Sequence, residues 1–300
     1  MSQLVALCGW GFLCRGGAFG YHVSSNRERG ASLSRVVHSV CRKGDGDFNE
    51  DVVGVAHSCA WVIDGATDVF HSHLLCKENE VGWYVGQLNA ALKRYANDTT
   101  PLVDVLRSAV DDVARGIVQS TGKPNAPEYQ LPTFAVALVR ISETILEYCL
   151  LGDCSVYALN EHGSTLVRDR RIEPFSAENR QHLKELPSSD AEGRRSLFQA
   201  TRARANAPDG YPIGSVWGSG VDRSLSGSVA LEEGSRVLIC SDGIMDYLDV
   251  TPGATEAIAY ADDLSAELVE IDRFYHSDER FRLDPRPKRV DDQSILVLEA

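Results

Sequence analysis

Four apolar segments of this chain each carry an aspartate at one end. The segments with their acids are Trp61-Val62-Ile63 with Asp64, Leu150-Leu151-Gly152 with Asp153, Leu238-Ile239-Cys240-Ser241 with Asp242, and Gln293 to Leu298 preceded by Asp291-Asp292. Short runs rich in Val, Ile and Leu predict buried β-strands, and a carboxylate at the end of such a strand is costly unless it is paired. One such acid is commonly a solvated strand end. Four acids, three of them beside a glycine, indicate convergence on one charged site.

Four carboxylates in one pocket would force some of their number to take up protons unless a cation lies between them. Because every candidate ligand is an oxygen atom, the favoured ion is Mg²⁺ or Mn²⁺ rather than Zn²⁺. The sequence therefore predicts a divalent-cation site where the strand ends converge.

The stretch 43–67 has acids at both of its ends, at positions 45–51 and at Asp64. Two short apolar runs near its middle predict an antiparallel hairpin. In that hairpin Glu50 and Asp51, at the start of the first strand, would lie beside Asp64, at the end of the second. The glycine at position 65 would let the Gly65 carbonyl approach the same cation. On this stretch alone, solvated acids capping the strand ends are an equally good interpretation.

Apolar periodicity predicts one α+β domain in residues 35–300. Strands come first, followed by two helices, further strands, a polar insertion at about 169–226, and then strands, helices and a closing strand. The two helices are predicted over 74–97 and over 100–122, the second beginning with an N-cap threonine and a first-turn proline. Residues 1–34 are rich in Gly, Ser and Arg and are predicted to be a flexible N-terminal extension.

Composition excludes several classes of partner. With 43 acidic and 30 basic residues the net charge is −13, which argues against nucleic acid or an anionic membrane as the main partner. The apolar patch at 4–14 is too short to span a bilayer and lacks the preceding positive charge of a signal peptide. Eight cysteines without a C-x-x-C pair indicate free thiols in a reducing compartment, so we expect a cytoplasmic protein.

Taken together and in order, the motifs resemble those of the type 2C metal-dependent protein phosphatases, the PPM family, over about residues 36–300. The motifs are Asn49-Glu50-Asp51, Asp64-Gly65, Pro132-Thr133, Gly152-Asp153-Cys154-Ser155, Ser241-Asp242-Gly243 and Asp291-Asp292-Gln293-Ser294. The set looks most like the compact bacterial branch. The resemblance implies two packed antiparallel β-sheets flanked by helices on both faces, a four-layer αββα fold.

The resemblance also implies a mechanism and a role for each acid. Asp64 would bridge two Mn²⁺ or Mg²⁺ ions with the Gly65 carbonyl on one of them, and Asp242 and Asp291 would hold one ion. Glu50 would act through bound water, and Asp153 would serve a weaker third ion. Asp51 belongs to the same predicted metal site. A water between the two ions would attack phosphoserine or phosphothreonine directly, which makes Asp64, Asp242 and Asp291 the predicted catalytic residues.

Two departures from the family pattern lead to an alternative function. Many relatives have a histidine after Asp-Gly as a general acid, where this chain has Ala66. Others place a phosphate-binding arginine four residues before the glutamate, where this chain has Gly46. The nearest substitutes are Lys43 and Arg42. A second basic group precedes Asp291, comprising Arg286, Lys288 and Arg289. The alternative function is a weakly active or inactive phosphatase-like module that binds a phosphoprotein or a regulatory partner.

The insertion at about 169–226 lies where the resembling family carries its variable flap. From Arg168 to Arg204 there are nine Lys or Arg residues and six Asp or Glu residues, a positive excess in an acidic chain. We therefore expect a mobile flap that docks the phosphoprotein substrate through its arginines, with residues 206–214 as the hinge. A solvated basic face is the alternative interpretation. The sequence predicts no oligomeric state.

Overall fold

The computed structural model of the chain describes residues 35–75, 77–142, 144–187, 189–277 and 288–300. Within these residues the chain forms eleven β-strands and seven α-helices. The predicted N-terminal extension lies outside the described residues.

The strands are β1 (Arg35–Arg42), β2 (Asp51–Ala56), β3 (Cys59–Ala66), β4 (Thr133–Ser142), β5 (Ile145–Leu151), β6 (Ser155–Asn160), β7 (Gly163–Arg168), β8 (Gly214–Ser215), β9 (Leu225–Ala230), β10 (Arg236–Cys240) and β11 (Gln293–Glu299). The helices are α1 (Glu80–Tyr95), α2 (Leu102–Thr121), α3 (Glu173–Glu185), α4 (Ala191–Arg202), α5 (Met245–Val250), α6 (Ala254–Tyr260) and α7 (Ser265–Tyr275).

Two antiparallel sheets stack face to face. The first sheet has the strand order β1-β11-β10-β6-β7, and the second has the order β2-β3-β4-β5-β9, with the two-residue β8 paired to β4. Helices α1 and α2 pack on the outer face of the second sheet, while α5, α6 and α7 pack on the outer face of the first. The fold is therefore the predicted four-layer αββα arrangement.

Strand β3 shows why its sequence is apolar without a break. Alternate residues point to opposite faces of a strand. Trp61 and Ile63 face the layer of α1 and α2, whereas Ala60 and Val62 face the other sheet. Because both faces are covered, a continuous apolar run suits this strand better than a polar alternation. The small alanines between the sheets allow them to approach closely.

Helix boundaries differ from the predictions at two places. Helix α1 begins only at Glu80, because the side chain of Asn79 accepts a hydrogen bond from Gly82 N and starts the helix there. The predicted start at Leu74 lies in the preceding loop. Helix α2 runs up to Gly122 as predicted, but its N-cap is Pro101, without a side-chain capping hydrogen bond.

The insertion contains helices α3 and α4, which the polar sequence did not predict. Asp190 caps α4 by accepting from Gly193 N at 2.9 Å. The polar composition of these two helices reflects their exposure to solvent, since α4 has no buried residue and α3 buries only Asn179 and Leu183.

Within the part of the chain that the structure describes, no helix combines the length and the apolar character needed to cross a bilayer.

Candidate metal centre and substrate cavity

The predicted hairpin is present and sets two acids side by side. Strands β2 and β3 pair with Asp51 opposite Asp64, and Gly65 N donates to Glu50 O at 3.0 Å. A Cβ atom at position 65 would lie 2.5 Å from Val81 Cγ1 and 2.6 Å from Glu50 O. Only glycine therefore lets β3 pass this close to helix α1.

Six acidic side chains lie at one end of the sandwich, and we name them the acidic cluster. They are Glu50 and Asp51 at the start of β2, Asp64 in β3, Asp153 between β5 and β6, Asp242 directly after β10, and Asp291 before β11. Electrostatic contacts link these carboxylates with one another. Because β2 and β3 belong to one sheet and β10 and β11 to the other, the cluster spans both sheets. The structure thus brings together all the acids predicted for the metal site.

Burial and mutual repulsion both disfavour the charged forms of Asp64 and Asp242, two acids of the cluster. Burial, followed by the neighbouring carboxylates, raises the pKa of Asp64 and of Asp242 well above the usual range. Their side chains lie close to each other, and the charge of each carboxylate raises the pKa of its neighbours. Asp242 lies deep in the fold, yet its side chain is exposed because it opens on a cavity. The cluster is therefore an unfavourable arrangement for carboxylates alone.

Asp153 and Glu50, at the two sides of the cluster, each have a cationic neighbour. Burial raises the pKa of Asp153, and the nearby Arg168 guanidinium partly lowers it. Burial likewise raises the pKa of Glu50, against the lowering effect of Lys288 and a hydrogen bond from Thr67.

The donor set suits a divalent cation, although the side chains are not arranged around one point. Among the described residues, no three His, Cys, Asp or Glu side chains form a ready coordination set. Every candidate donor is nevertheless a carboxylate or carbonyl oxygen, as Mg²⁺ and Mn²⁺ prefer. The Oδ2 atom of Asp51 is buried without a hydrogen-bond partner in the described part of the chain. A dication would relieve the repulsion, so the residues present fit such an ion.

Asp292 organises this site, a role that the sequence analysis missed. Its buried carboxylate accepts from Gly44 N at 2.8 Å and from Glu50 N at 2.6 Å. Beside it, Asp45 N donates to Val290 O at 2.9 Å, and Asp45 Oδ2 accepts from Val290 N at 3.0 Å. The loop before β2 is thereby fastened to the segment before β11. The acidic doublet before β11 was the only signal for this role.

Lys288 provides positive charge beside the cluster. Its Nζ donates to Asp291 Oδ1 at 3.0 Å and lies 3.7 Å from Glu50 Oε2. A Cβ atom at Gly46 would lie 3.5 Å from the same Nζ. The space beside position 46, where the resembling phosphatases have an arginine side chain, is therefore next to the Lys288 ammonium.

The residues predicted to bind phosphate lie at the end of β1 (Arg42) and on the loop before β2 (Lys43), but their contacts lead away from the cluster. Arg42 donates to Asp272 Oδ1 at 2.7 Å and to Gln293 Oε1 at 2.7 Å. Lys43 Nζ is exposed and donates to Gly46 O at 2.5 Å. Their phosphate-binding role stays a prediction. Of the second basic group, Lys288 and Arg289 are described, whereas Arg286 lies outside the described residues.

A cavity of about 770 Å³ separates the acidic cluster from the insertion. Asp153, Asp242 and Asp291 line one side, and residues of α3 and α4 line the other. In its wall Arg168 donates to both carboxylate oxygens of Asp249 at 2.8 and 3.1 Å. The acids and the insertion thus share one space that is large enough for a small ligand or a peptide side chain.

Helix α4 is attached to the segment that follows Asp64. Gln199 Nε2 donates to Val69 O at 2.9 Å, and Arg202 donates to Thr67 O at 3.3 Å. Thr67 Oγ1 in turn donates to Glu50 Oε2 at 3.2 Å. Thr67 therefore contacts both helix α4 of the insertion and Glu50 of the acidic cluster.

Comparison with known proteins finds solved structures of similar fold, but no match to a family model or a curated protein. No family model matches the chain, and no curated protein matches it. Several solved structures do match over most of its length.

PppA, described as a key regulatory component of the T6SS in Pseudomonas aeruginosa, is 15% identical over 89% of this chain and 98% of its own, with a TM-score of 0.56. The catalytic domain of the serine/threonine protein phosphatase PstP, in complex with two manganese ions, is 16% identical over 89% of this chain and 98% of its own, with a TM-score of 0.55. The serine/threonine phosphatase Stp1 from Staphylococcus aureus is 12% identical over 93% of this chain and 99% of its own, with a TM-score of 0.56. The chain therefore has the fold of the PPM-type phosphatases, which confirms the predicted resemblance at the level of the fold.

Proposed function

We propose that this chain is a metal-dependent protein phosphatase that hydrolyses phosphoserine and phosphothreonine. The observation that supports this function is the acidic cluster, which five segments of a PPM-type fold bring to one end of the sandwich. Keeping so many like charges together is destabilising unless cations bind there. A protein that only presented a surface to a partner would have no use for this arrangement.

The residues that would hold the cations are those of the cluster. Asp64, Asp242 and Asp291 are the proposed shared and terminal ligands, and Asp153 serves a weaker ion. Gly65 contributes its carbonyl, while Glu50 and Asp51 complete the oxygen-rich surroundings. Two bound Mn²⁺ or Mg²⁺ ions lower the pKa of water and offset charge on phosphoryl oxygens. The PstP domain with two manganese ions supports this choice of cofactor.

The remaining contacts of the chain orient the site and bind the substrate. Thr67 and Lys288 hold the Glu50 carboxylate from two sides. Lys43, exposed on the loop before β2, is the proposed contact to a substrate phosphate there, whereas Arg42 is engaged with Asp272. Ala66 cannot donate a proton, so the leaving alcohol must take its proton from solvent, and we expect slow turnover.

The insertion is the proposed docking surface for the phosphoprotein. It forms the opposite wall of the cavity and carries the exposed Arg195 on α4. Loops and helices set on a rigid scaffold commonly hold the specificity determinants. The buried free thiols of Cys59, Cys149 and Cys240 support a reducing, cytoplasmic location.

The test is hydrolysis of p-nitrophenyl phosphate and of a phosphopeptide with Mn²⁺, with Mg²⁺ and with EDTA. Asp64→Ala, Asp242→Ala and Asp291→Ala should each abolish cation-dependent hydrolysis while circular dichroism shows an intact fold. Asp153→Ala should only raise the metal concentration required. The exposed Asp262→Ala is the matched control and should behave as wild type.

Hydrolysis that persists in EDTA, or an undiminished Asp64→Ala variant, would overturn the proposed function. Phosphopeptide binding without any hydrolysis would favour the alternative, a phosphatase-like binding module.

A further inference from the structure

Arg202 is the last residue of α4 and reaches from the insertion into the cavity. It lines the cavity together with Asp153, Asp242 and Asp291. Its guanidinium donates to Thr67 O at 3.3 Å, and Thr67 contacts Glu50. A basic side chain from the insertion thus reaches Thr67, 135 residues away in sequence and itself in contact with the acidic cluster.

The surroundings of Arg202 hold it in this position. The hydroxyl of Tyr211 lies beside its guanidinium and also near Asp153. Helix α4 is fastened by Gln199, which donates to Val69 O at 2.9 Å, and by Thr201, which donates to Asn179 Oδ1 at 2.8 Å. Arg202 therefore does not depend on a bound ligand to stay in the cavity wall.

Arg202 differs in its partners from Arg168 and Arg170 in the cavity wall and from Lys288 beside the acidic cluster. Arg168 is paired with Asp249, Arg170 lies 3.8 Å from Glu173, and Lys288 is shared between Glu50 and Asp291. Within the described residues, no carboxylate lies within 4.0 Å of the Arg202 nitrogens, and its neighbours there include the Thr67 carbonyl and the Tyr211 phenol. A cation already neutralised by carboxylates attracts an anion weakly, whereas Arg202 keeps its charge and some of its five donors available.

We propose that Arg202 binds the phosphoryl group of the substrate, a phosphomonoester dianion, from the insertion side of the cavity. A planar guanidinium matches two phosphate oxygens at once, which gives both affinity and orientation. Because the residue belongs to the insertion, phosphate binding and protein docking are linked through one helix. This inference rests on the proposed phosphatase function and assigns its substrate contact.

The experiment measures binding rather than turnover. The probe is a fluorescein-labelled, alanine-flanked peptide carrying the phosphonate analogue of phosphoserine, which resists hydrolysis, titrated by anisotropy with Mn²⁺ present. Arg202→Gln should weaken binding by about 10- to 100-fold. Arg202→Lys should recover part of the loss, because charge returns without the two-oxygen fork. The serine form of the peptide should bind all variants equally weakly.

Lys184→Gln is the matched control, since it removes one positive charge from the exposed face of α3 outside the cavity. Its affinity should equal that of wild type. Thermal melts check that each variant is folded. If Arg202→Gln does not fold, the inference is judged by the affinity of Arg202→Lys, which should be weaker than that of wild type.

Any one of the following results would overturn the inference. Wild type and Arg202→Gln bind the phosphonate peptide with equal affinity, Lys184→Gln loses as much affinity as Arg202→Gln, or the wild-type protein does not bind. Where Arg202→Gln fails to fold, an Arg202→Lys variant with wild-type affinity would overturn it as well. The proposed function is judged separately, by metal-dependent hydrolysis in the wild-type protein. A protein that hydrolyses phosphopeptides but binds the phosphonate independently of Arg202 would retain the function and reject only this contact.

Discussion

The acidic cluster and the insertion face each other across one cavity, but they are built in opposite ways. The cluster lies at the ends of strands whose two faces are buried, and the ladders of both sheets determine its position. Helix α4 of the insertion rests on the fold through polar contacts, such as Gln199 to Val69 O, and has no buried residue. We therefore expect substitutions in α4 to leave the position of the acids unchanged.

The acidic cluster and the insertion also differ in how their charges affect stability. Packed strands hold the like charges of the cluster together, at a cost in stability that cations would remove. The insertion bears no such conflict, because most of its charges are exposed or paired, as for Arg171 with Asp169. Removing a charge from the acidic cluster should consequently lower activity and raise stability. Variants of exposed residues in the insertion should change only the recognition of the protein substrate.

The largest effect is expected for Asp242→Asn. Asparagine keeps the shape of the side chain but removes one charge from the cluster, so hydrolysis should fall by about 100-fold or more. In EDTA the same variant should be more stable than wild type by about 0.5–2 kcal/mol, because a repelling charge is gone. Steady-state kinetics and urea unfolding measure the two quantities. Asp262→Asn, on the surface, should change neither; a destabilised Asp242→Asn variant would contradict the view that repulsion dominates.

The second effect concerns the joint between the loop before β2 and the segment before β11. A Cβ atom at Gly44 would lie 2.3 Å from Val290 O and 2.5 Å from the backbone of Asp291. Gly44→Ala should therefore destabilise the protein by about 1–3 kcal/mol and reduce activity by moving Asp291.

The matched control for that joint is Gly86→Ala, inside α1, where nothing lies within 4 Å of the added atom. It should stabilise by about 0.5–1 kcal/mol, since alanine favours the helix. Chemical unfolding compares both variants with wild type. Similar stabilities of the two variants would show that the joint is not rigid.

A smaller effect is expected from charge reversal on the insertion. The arginines of the insertion have different surroundings, since Arg204 stacks on Phe175 at 4.4 Å and Arg202 faces the cavity. The double variant Arg194→Glu/Arg195→Glu should lower kcat/KM on a phosphoprotein by about three- to ten-fold, with less loss at high salt. Hydrolysis of p-nitrophenyl phosphate should stay within about two-fold, because so small a substrate does not need docking. An equal loss on both substrates would argue for a structural role instead.

The smallest effect is expected for Lys43→Ala. An exposed lysine contributes a point charge, so the KM for a phosphopeptide should rise by about two- to five-fold with a lesser change in kcat. Arg42→Ala, which breaks the pair with Asp272, should reduce thermal stability and leave KM unchanged. If Lys43→Ala leaves both constants unaltered, phosphate binding does not involve this loop.

Much of the fold could be predicted because local patterns and tertiary contacts agree. The apolar run of β3 predicts a strand whatever its neighbours, and the apolar stripe of α2 predicts a helix. Helices α3 and α4 were missed because their sequence is polar on nearly every face, so that periodicity carries no signal. The start of α1 was misplaced because the cap at Asn79 overrides the apolar residues before it.

Which segments become strands, and that an acid stands at the end of four of them, follows from local sequence. Hydrophobic period and a terminal charge are properties of a few consecutive residues. Which side chains surround those acids depends on the packing of distant segments. Asp292 reaches Glu50 across 242 residues, and Arg202 reaches Thr67 across 135. Such contacts depend on how two sheets stack and where a helix rests on them, and no local pattern encodes that arrangement.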